Sequence, residues 1–242
     1  GTEAGTPTSP GTISGTLEIN ADWSKKGEAA YEISMPIGGG IRMSSRGTFS
    51  FKVLFATLVA SFSEEIALDP DCRPETFALQ IDAPLGIGSR RVEGEIREEV
   101  VHLDYGDQES VIRLGEGFPL VLGTFSTYAL IPLLFDTLAA VDAVDFEVIV
   151  LFARRDGEAA GKDGDATLRV ERSGKARIDL GPGELLVDRY LLTSRLGESE
   201  LLAKGDEFLA LLVAGGGGTL IAYRSDYFPG GIELPHLDAP SP

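Results

Sequence analysis

Residue types that carry enzyme chemistry are scarce in this chain. Among 242 residues there is one cysteine, Cys72, and there are two histidines, His102 and His236. One cysteine excludes an intrachain disulfide. It sits in Leu68-Asp69-Pro70-Asp71-Cys72-Arg73-Pro74, a turn-like stretch that offers only Arg73 to activate a thiol, so no redox or nucleophilic role is expected of it. In an oxidising compartment such a lone thiol is expected to be buried. No two histidines stand at ligand spacing, which argues against a zinc or iron site. His102 alternates with Val101 and Leu103, and no Gly-x-Ser-x-Gly elbow accompanies it, so nothing supports a Ser-His-Asp triad.

Positive charge is also scarce. Lys and Arg number 21 against 38 Asp and Glu, a formal net charge of -17. A phosphate backbone is bound by cationic side chains that displace its counterions, so nucleic acid and anionic lipid surfaces are poor partners. The same charge favours a soluble monomer. No apolar run reaches the 18 residues of a membrane span. The longest, 128–140, is interrupted by Pro132 and Asp136.

What is present points to strands. Hydrophobic residues make up 43% and charged residues 24% of the chain, and 30 Gly with 13 Pro supply many turns. Ile13, Gly15, Leu17 and Ile19 alternate with polar neighbours, and residues 30–35 repeat the pattern. In 48–58, Phe49, Phe51, Val53 and Phe55 share one face, with Ser50 and Lys52 opposite. Further strands are predicted over 59–68, 76–81, 91–105 (with a bulge near Glu98-Glu99), 110–114, 146–153, 166–171, 175–180, 184–194, 198–203, 208–213 and 219–227. Short turns between them imply hairpins. One segment differs. Ser126-Thr127 offers an N-cap, Pro132 fits a first turn, and Ile131, Leu134, Phe135, Leu138, Val141 and Val144 recur at helical spacing.

The predicted fold is therefore mostly β: a curved antiparallel half-barrel, or two β lobes, with one central amphipathic helix. Its organisation is a flexible tether over 1–12, a first β lobe over 13–124, the helix over 125–145, a second β lobe over 146–228, and a Pro-rich tail over 229–242. The Thr/Pro/Gly-rich tether suggests an exported protein: periplasmic, secreted or surface-anchored.

Familiar motifs fail in detail. Gly86-Ile87-Gly88 lacks the third glycine and the helix of a dinucleotide loop. Asp156, Glu158, Asp163 and Asp165 miss the spacing of a calcium hand. Glu64-Glu65 and Glu98-Glu99 are neighbours on strands, where adjacent side chains point to opposite faces, so neither pair makes a general acid/base couple. No cofactor is implied.

Three stretches together resemble the half-barrel envelope proteins, which include the lipoprotein carriers of the periplasm (the Lol type) and periplasmic or secreted families of unknown function. The first is residues 48–68 with Asp69-Pro70 and the strand Phe77-Ala78-Leu79-Gln80-Ile81. The second is residues 110–120 leading into the helix over 127–141. The third is Asp188-Arg189-Tyr190-Leu191-Leu192 with the closing hairpin through 217–226. The resemblance implies a sheet wrapped around a helix over an apolar cavity, and a lipid or acyl-chain ligand. The candidate ligand-binding residues are Phe49, Phe51 and Phe55 on the strand, and Tyr128, Ile131, Phe135 and Leu138 on the helix. The expected function is non-enzymatic binding of a hydrophobic or lipid-like molecule. The alternative is a structural or interaction protein of the envelope, with a filled core and an exposed edge strand for a protein partner.

Overall fold

Alternation along the chain becomes alternation in space. In the computed structural model, Ala60, Phe62, Glu64, Ile66 and Leu68 face inward while Ser61, Ser63 and Glu65 face solvent. The structure describes residues 11–21, 24–53, 56–84, 89–138, 142–151, 167–179, 183–195, 197–215 and 218–229. The first half is an antiparallel meander of eight strands: β1 (Gly11–Ala21), β2 (Ser24–Met35), β3 (Ile41–Val53), β4 (Ala56–Leu68), β5 (Pro74–Asp82), β6 (Arg90–Arg97), β7 (Val100–Asp104) and β8 (Glu109–Arg113). Next come β9 (Phe118–Leu122), a 3₁₀ turn (Phe125–Ala129) and helix α1 (Leu130–Leu138). The chain then runs through β10 (Ala143–Val150), β11 (Thr167–Asp179), β12 (Glu184–Ser194), β13 (Gly197–Lys204), β14 (Glu207–Gly215) and β15 (Gly218–Arg224).

All fifteen strands belong to one curved sheet that does not close, in the order β8-β7-β6-β5-β4-β3-β2-β1-β15-β14-β13-β12-β11-β10-β9. The mostly β fold with one helix is as the sequence predicts, and the two β blocks share a single sheet. One pairing departs from the antiparallel expectation: β9 runs parallel to β10, because the helical segment serves as the crossover between them. β8 and β9 are therefore the two edges of the sheet, although only residues 114–117 separate them.

The halves meet where β1 pairs β15. There the buried Arg224 lies across β1, its Nη1 donating to Tyr31 Oη at 3.1 Å and its Nε to Asp226 at 2.7 Å. Gly15 allows this, since a Cβ there would lie 2.5 Å from Arg224 Nε.

Several local features differ from the sequence reading. Glu98 and Glu99, at φ 48° and 66°, form the two-residue turn of the β6–β7 hairpin rather than a bulge. Two left-handed residues are what such a tight turn needs. The two strands expected over 166–171 and 175–180 are one strand, β11 (Thr167–Asp179), with a bulge between Arg172 and Gly174. The bulge switches its face: Leu168 and Val170 join the main core and Ile178 a second one. The helical segment is capped by Thr124, not Ser126-Thr127. It ends at Leu138, and Val144 lies in β10. Pro132 does occupy the first turn of α1. Val141, the loop with Asp156 to Asp165, the Gly86–Gly88 stretch and His236 lie outside the described residues.

The main core gathers the inner face of the sheet from both halves, Leu17 to Leu103 in the first and Leu120 to Leu211 in the second, around α1, whose Leu130, Ile131, Leu134 and Phe135 are each at most 1% exposed. A second core of Ile178, Val187, Leu209, Leu212, Ile221, Tyr223 and Phe228 covers the opposite face of the second half. β14 sits between the cores, and its run Phe208 to Leu212 is buried on both faces, which explains why it does not alternate. Cys72 is buried in the β4–β5 turn at φ 64°.

Candidate functional site

The adjacent carboxylates Glu64 and Glu65 point to opposite faces of β4, and each heads a polar feature. Glu64 points inward and is 1% exposed. Cross-strand pairing sets Ser45 of β3 and Leu79 of β5 beside it. The segment before the helix reaches it from the other side. Thr124 N–H donates to Glu64 Oε1 at 3.1 Å, and Glu64 Oε2 lies 2.6 Å from Thr124 Oγ1 and 3.2 Å from Ser45 Oγ. Thr124 Oγ1 also accepts from Ser126 N–H at 3.3 Å, the capping bond of the 3₁₀ turn. Burial raises the Glu64 carboxyl to about 7, against the smaller opposing pull of its hydrogen bonds to Thr124 and Ser45. Ser126 Oγ, next along, is buried with no hydrogen-bond partner among the described residues.

Contact here is close enough to exclude a methyl group. A Cβ at Gly123 would lie 1.7 Å from Glu64 Oε1 and 2.8 Å from its Cδ. Gly123→Ala is therefore expected to lower stability by about 1–3 kcal/mol, the range for overpacking a tight interior. Denaturant melting checks this, and an unchanged midpoint would mean that the cluster gives way freely.

Glu65 points outward into an open groove of about 940 Å³ on the solvent face of β2 to β8. Strand register arranges the lining into two rows running across the strands. One row is Glu32–Ser44–Glu65–Ala78–Glu93–Asp104–Glu109, each residue directly opposite the next. The other is Ser34–Arg42–Ala67–Thr76–Glu95–His102–Val111. At about 4.8 Å between strands, seven strands span roughly 29 Å. Small side chains (Ser34, Ser44, Ala67, Thr76, Ala78) leave the floor open. Carboxylates dominate the walls, with Glu75 adding another, while Arg42 and His102 are the basic lining residues. Arg91 pairs Glu93 at 2.5 Å and Arg97 pairs Glu95 at 2.7 Å. Glu32, Glu65, Glu75 and Glu109 have no salt bridge among the described residues. Glu93, Asp104 and Glu109 set three carboxylates side by side, with Arg91 against Glu93 offsetting part of their repulsion. The groove ends at edge strand β8, where Val111 is 63% exposed.

The residues predicted to bind a ligand lie elsewhere, on the inner side. Ile131 and Phe135 are 0% and 1% exposed within the main core. The Phe135 ring meets Tyr190 edge-on at 5.2 Å and carries the Arg172 guanidinium at 5.3 Å from its centroid. Phe49, Phe51, Tyr128 and Leu138 pack against the same core and are partly buried. The rings of Phe49 and Phe51 lie 5.9 Å apart. Phe55 lies outside the described residues.

Neither polar feature was visible as a site in the sequence. The acidic rows depend on register, which the two-residue turn at Glu98-Glu99 sets for β6 and β7 once that turn is recognised. Glu64 becomes special only through Thr124, sixty residues away.

A scan against protein-family models finds no match to this chain, and no curated protein matches it. Among solved structures, the chain is similar to a DUF1089 family protein from Pseudomonas aeruginosa, at 12% identity and a TM-score of 0.38, over 89% of this chain and 95% of that one.

Proposed function

We propose that this is a non-enzymatic binding protein whose working surface is the acidic groove on the outer face of β2 to β8. Its partner is a protein segment that carries positive charge and lies extended across the strands. The observation that carries this reading is the row from Glu32 to Glu109, where carboxylates recur across seven strands and three stand side by side. A carboxylate on every second strand falls roughly 10 Å from the next. That is about three residues of extended chain, so Lys or Arg at every third position matches the row. The burial of Ile131 and Phe135, at 0% and 1% exposed, favours this interaction reading over a ligand held beneath the helix. Burial of Cys72 fits the proposed cell-envelope setting, because no thiol is left at the surface to oxidise.

Titrating a labelled nonapeptide with Lys at every third position, followed by anisotropy, tests it. Saturable binding is expected that weakens at least about tenfold between 50 and 500 mM salt, as screening requires. Equal affinity for an uncharged peptide of the same length would overturn it.

A second reading, a hydrophobic or lipid-like ligand, has one observation in its favour. Phe49, Phe51 and Tyr128 are large side chains left partly exposed beside the core, and burial pushes the Tyr128 hydroxyl above its ordinary pKa. Organic extraction of the purified protein followed by mass spectrometry decides it. A clean extract would remove this reading and leave the first intact.

A further inference from the structure

The hydrogen-bond pattern around Glu64 is asymmetric. Oε1 faces a backbone N–H, which can only donate, so Oε1 must be an acceptor. Oε2 faces two hydroxyls: Thr124 Oγ1, the nearer at 2.6 Å, can accept a proton held on Oε2, while Ser45 Oγ at 3.2 Å donates to it. That pattern suits a neutral carboxyl with its proton on Oε2. An ionised carboxylate would have to be held there without a cation. Around Glu64, Ser45 and Leu79 face it from β3 and β5, and Gly123 and Thr124 from ahead of the helix. None of these is charged. Further along the same row stand Val92 on β6 and Tyr31 on β2, the latter engaged by Arg224. On the helical segment the ionisable side chains are Tyr128 and Asp136, and Asp136 pairs Arg172 at 2.6 Å. β9 carries no ionisable side chain.

The same carboxyl also binds Thr124, the cap of the helical segment, to the sheet. We infer that Glu64 is a proton-operated latch: as a neutral carboxyl it holds the N-terminal turn of the helical segment in the sheet, and as a carboxylate it loosens that turn. Loosening frees the segment that covers the main core and exposes Ile131 and Phe135. This device is independent of the outer groove, which lies on the other face.

Hydrogen–deuterium exchange of the full chain, corrected for the intrinsic pH dependence of exchange, tests the latch. In the wild type, protection over residues 124–138 is expected to fall at least about tenfold between pH 6 and 8.5, while the β3–β4 hairpin keeps its protection. In Glu64→Gln, whose amide can donate from the Oε2 position, protection over 124–138 should stay level across that range. Ser45→Ala provides a second variant. Removing one hydrogen bond that favours the carboxylate should move the wild-type transition to higher pH. A pH profile shared by wild type and Glu64→Gln, or a Ser45→Ala transition that stays in place or moves down, would overturn the proposal.

Discussion

Glu64→Gln is expected to remove a pH-dependent loss of stability worth about 3 kcal/mol. The folded carboxyl sits at about 7 and its ordinary value is 4.5. Each pH unit of that difference corresponds to roughly 1.4 kcal/mol. Because the folded value is raised, the folded protein holds more protons than the unfolded chain between these limits, so stability falls as pH rises. The contribution is fully present below pH 4.5, is lost progressively up to about 7, and changes little beyond. Urea unfolding at intervals from pH 4.5 to 8.5 measures it. Other acidic groups titrate in both proteins, so the difference between the two curves isolates Glu64. A flat difference curve would show that the carboxyl is solvated in the folded state.

Phe135→Ala is expected to cost about 3–5 kcal/mol, the range for deleting a fully buried aromatic ring. Phe135 is 1% exposed, stacked edge-on with Tyr190 and covered by Arg172. The substitution also bears on function. A ring that packs against filled space leaves a void when removed, whereas a ring that lines a ligand cavity leaves a wider cavity at little cost. Denaturant unfolding without added lipid gives the answer. A loss below about 1 kcal/mol would mean the space beside the helix is open and would favour the hydrophobic-ligand reading.

The strand elements were legible because one face of most of them is wet. Alternation marks residues 60–68 and 101–103 without ambiguity. β9 and β14 lack it, since their central residues are buried on both faces, so no periodicity marks β9 as a strand. The parallel pairing of β9 and β10 was illegible for a related reason: it depends on where the helix sends the chain, not on any local pattern. Helical spacing overruns the helix, because Val144 keeps the 3.6-residue period by chance while belonging to β10. Phe49 and Phe51 on β3, and Ile131 and Phe135 on α1, pack on the main core. Whether such a face meets a core or a ligand depends on what lies opposite, which no single segment encodes. The acidic rows illustrate the same limit. Glu32, Glu65, Glu93, Asp104 and Glu109 look like scattered solvent-facing charges until six pairings align them.

Net charge alone would attract a cationic peptide anywhere on this protein, so place is what must be measured. Two triple variants change the charge equally. One is Glu65→Gln, Glu93→Gln and Glu109→Gln in the groove, and the other is Glu171→Gln, Glu184→Gln and Glu198→Gln on β11 to β13. Titration of both with the Lys-bearing nonapeptide at one salt concentration is the direct comparison. The groove account predicts at least about tenfold weaker binding for the first variant and wild-type affinity, within about twofold, for the second. Equal weakening of both would contradict it.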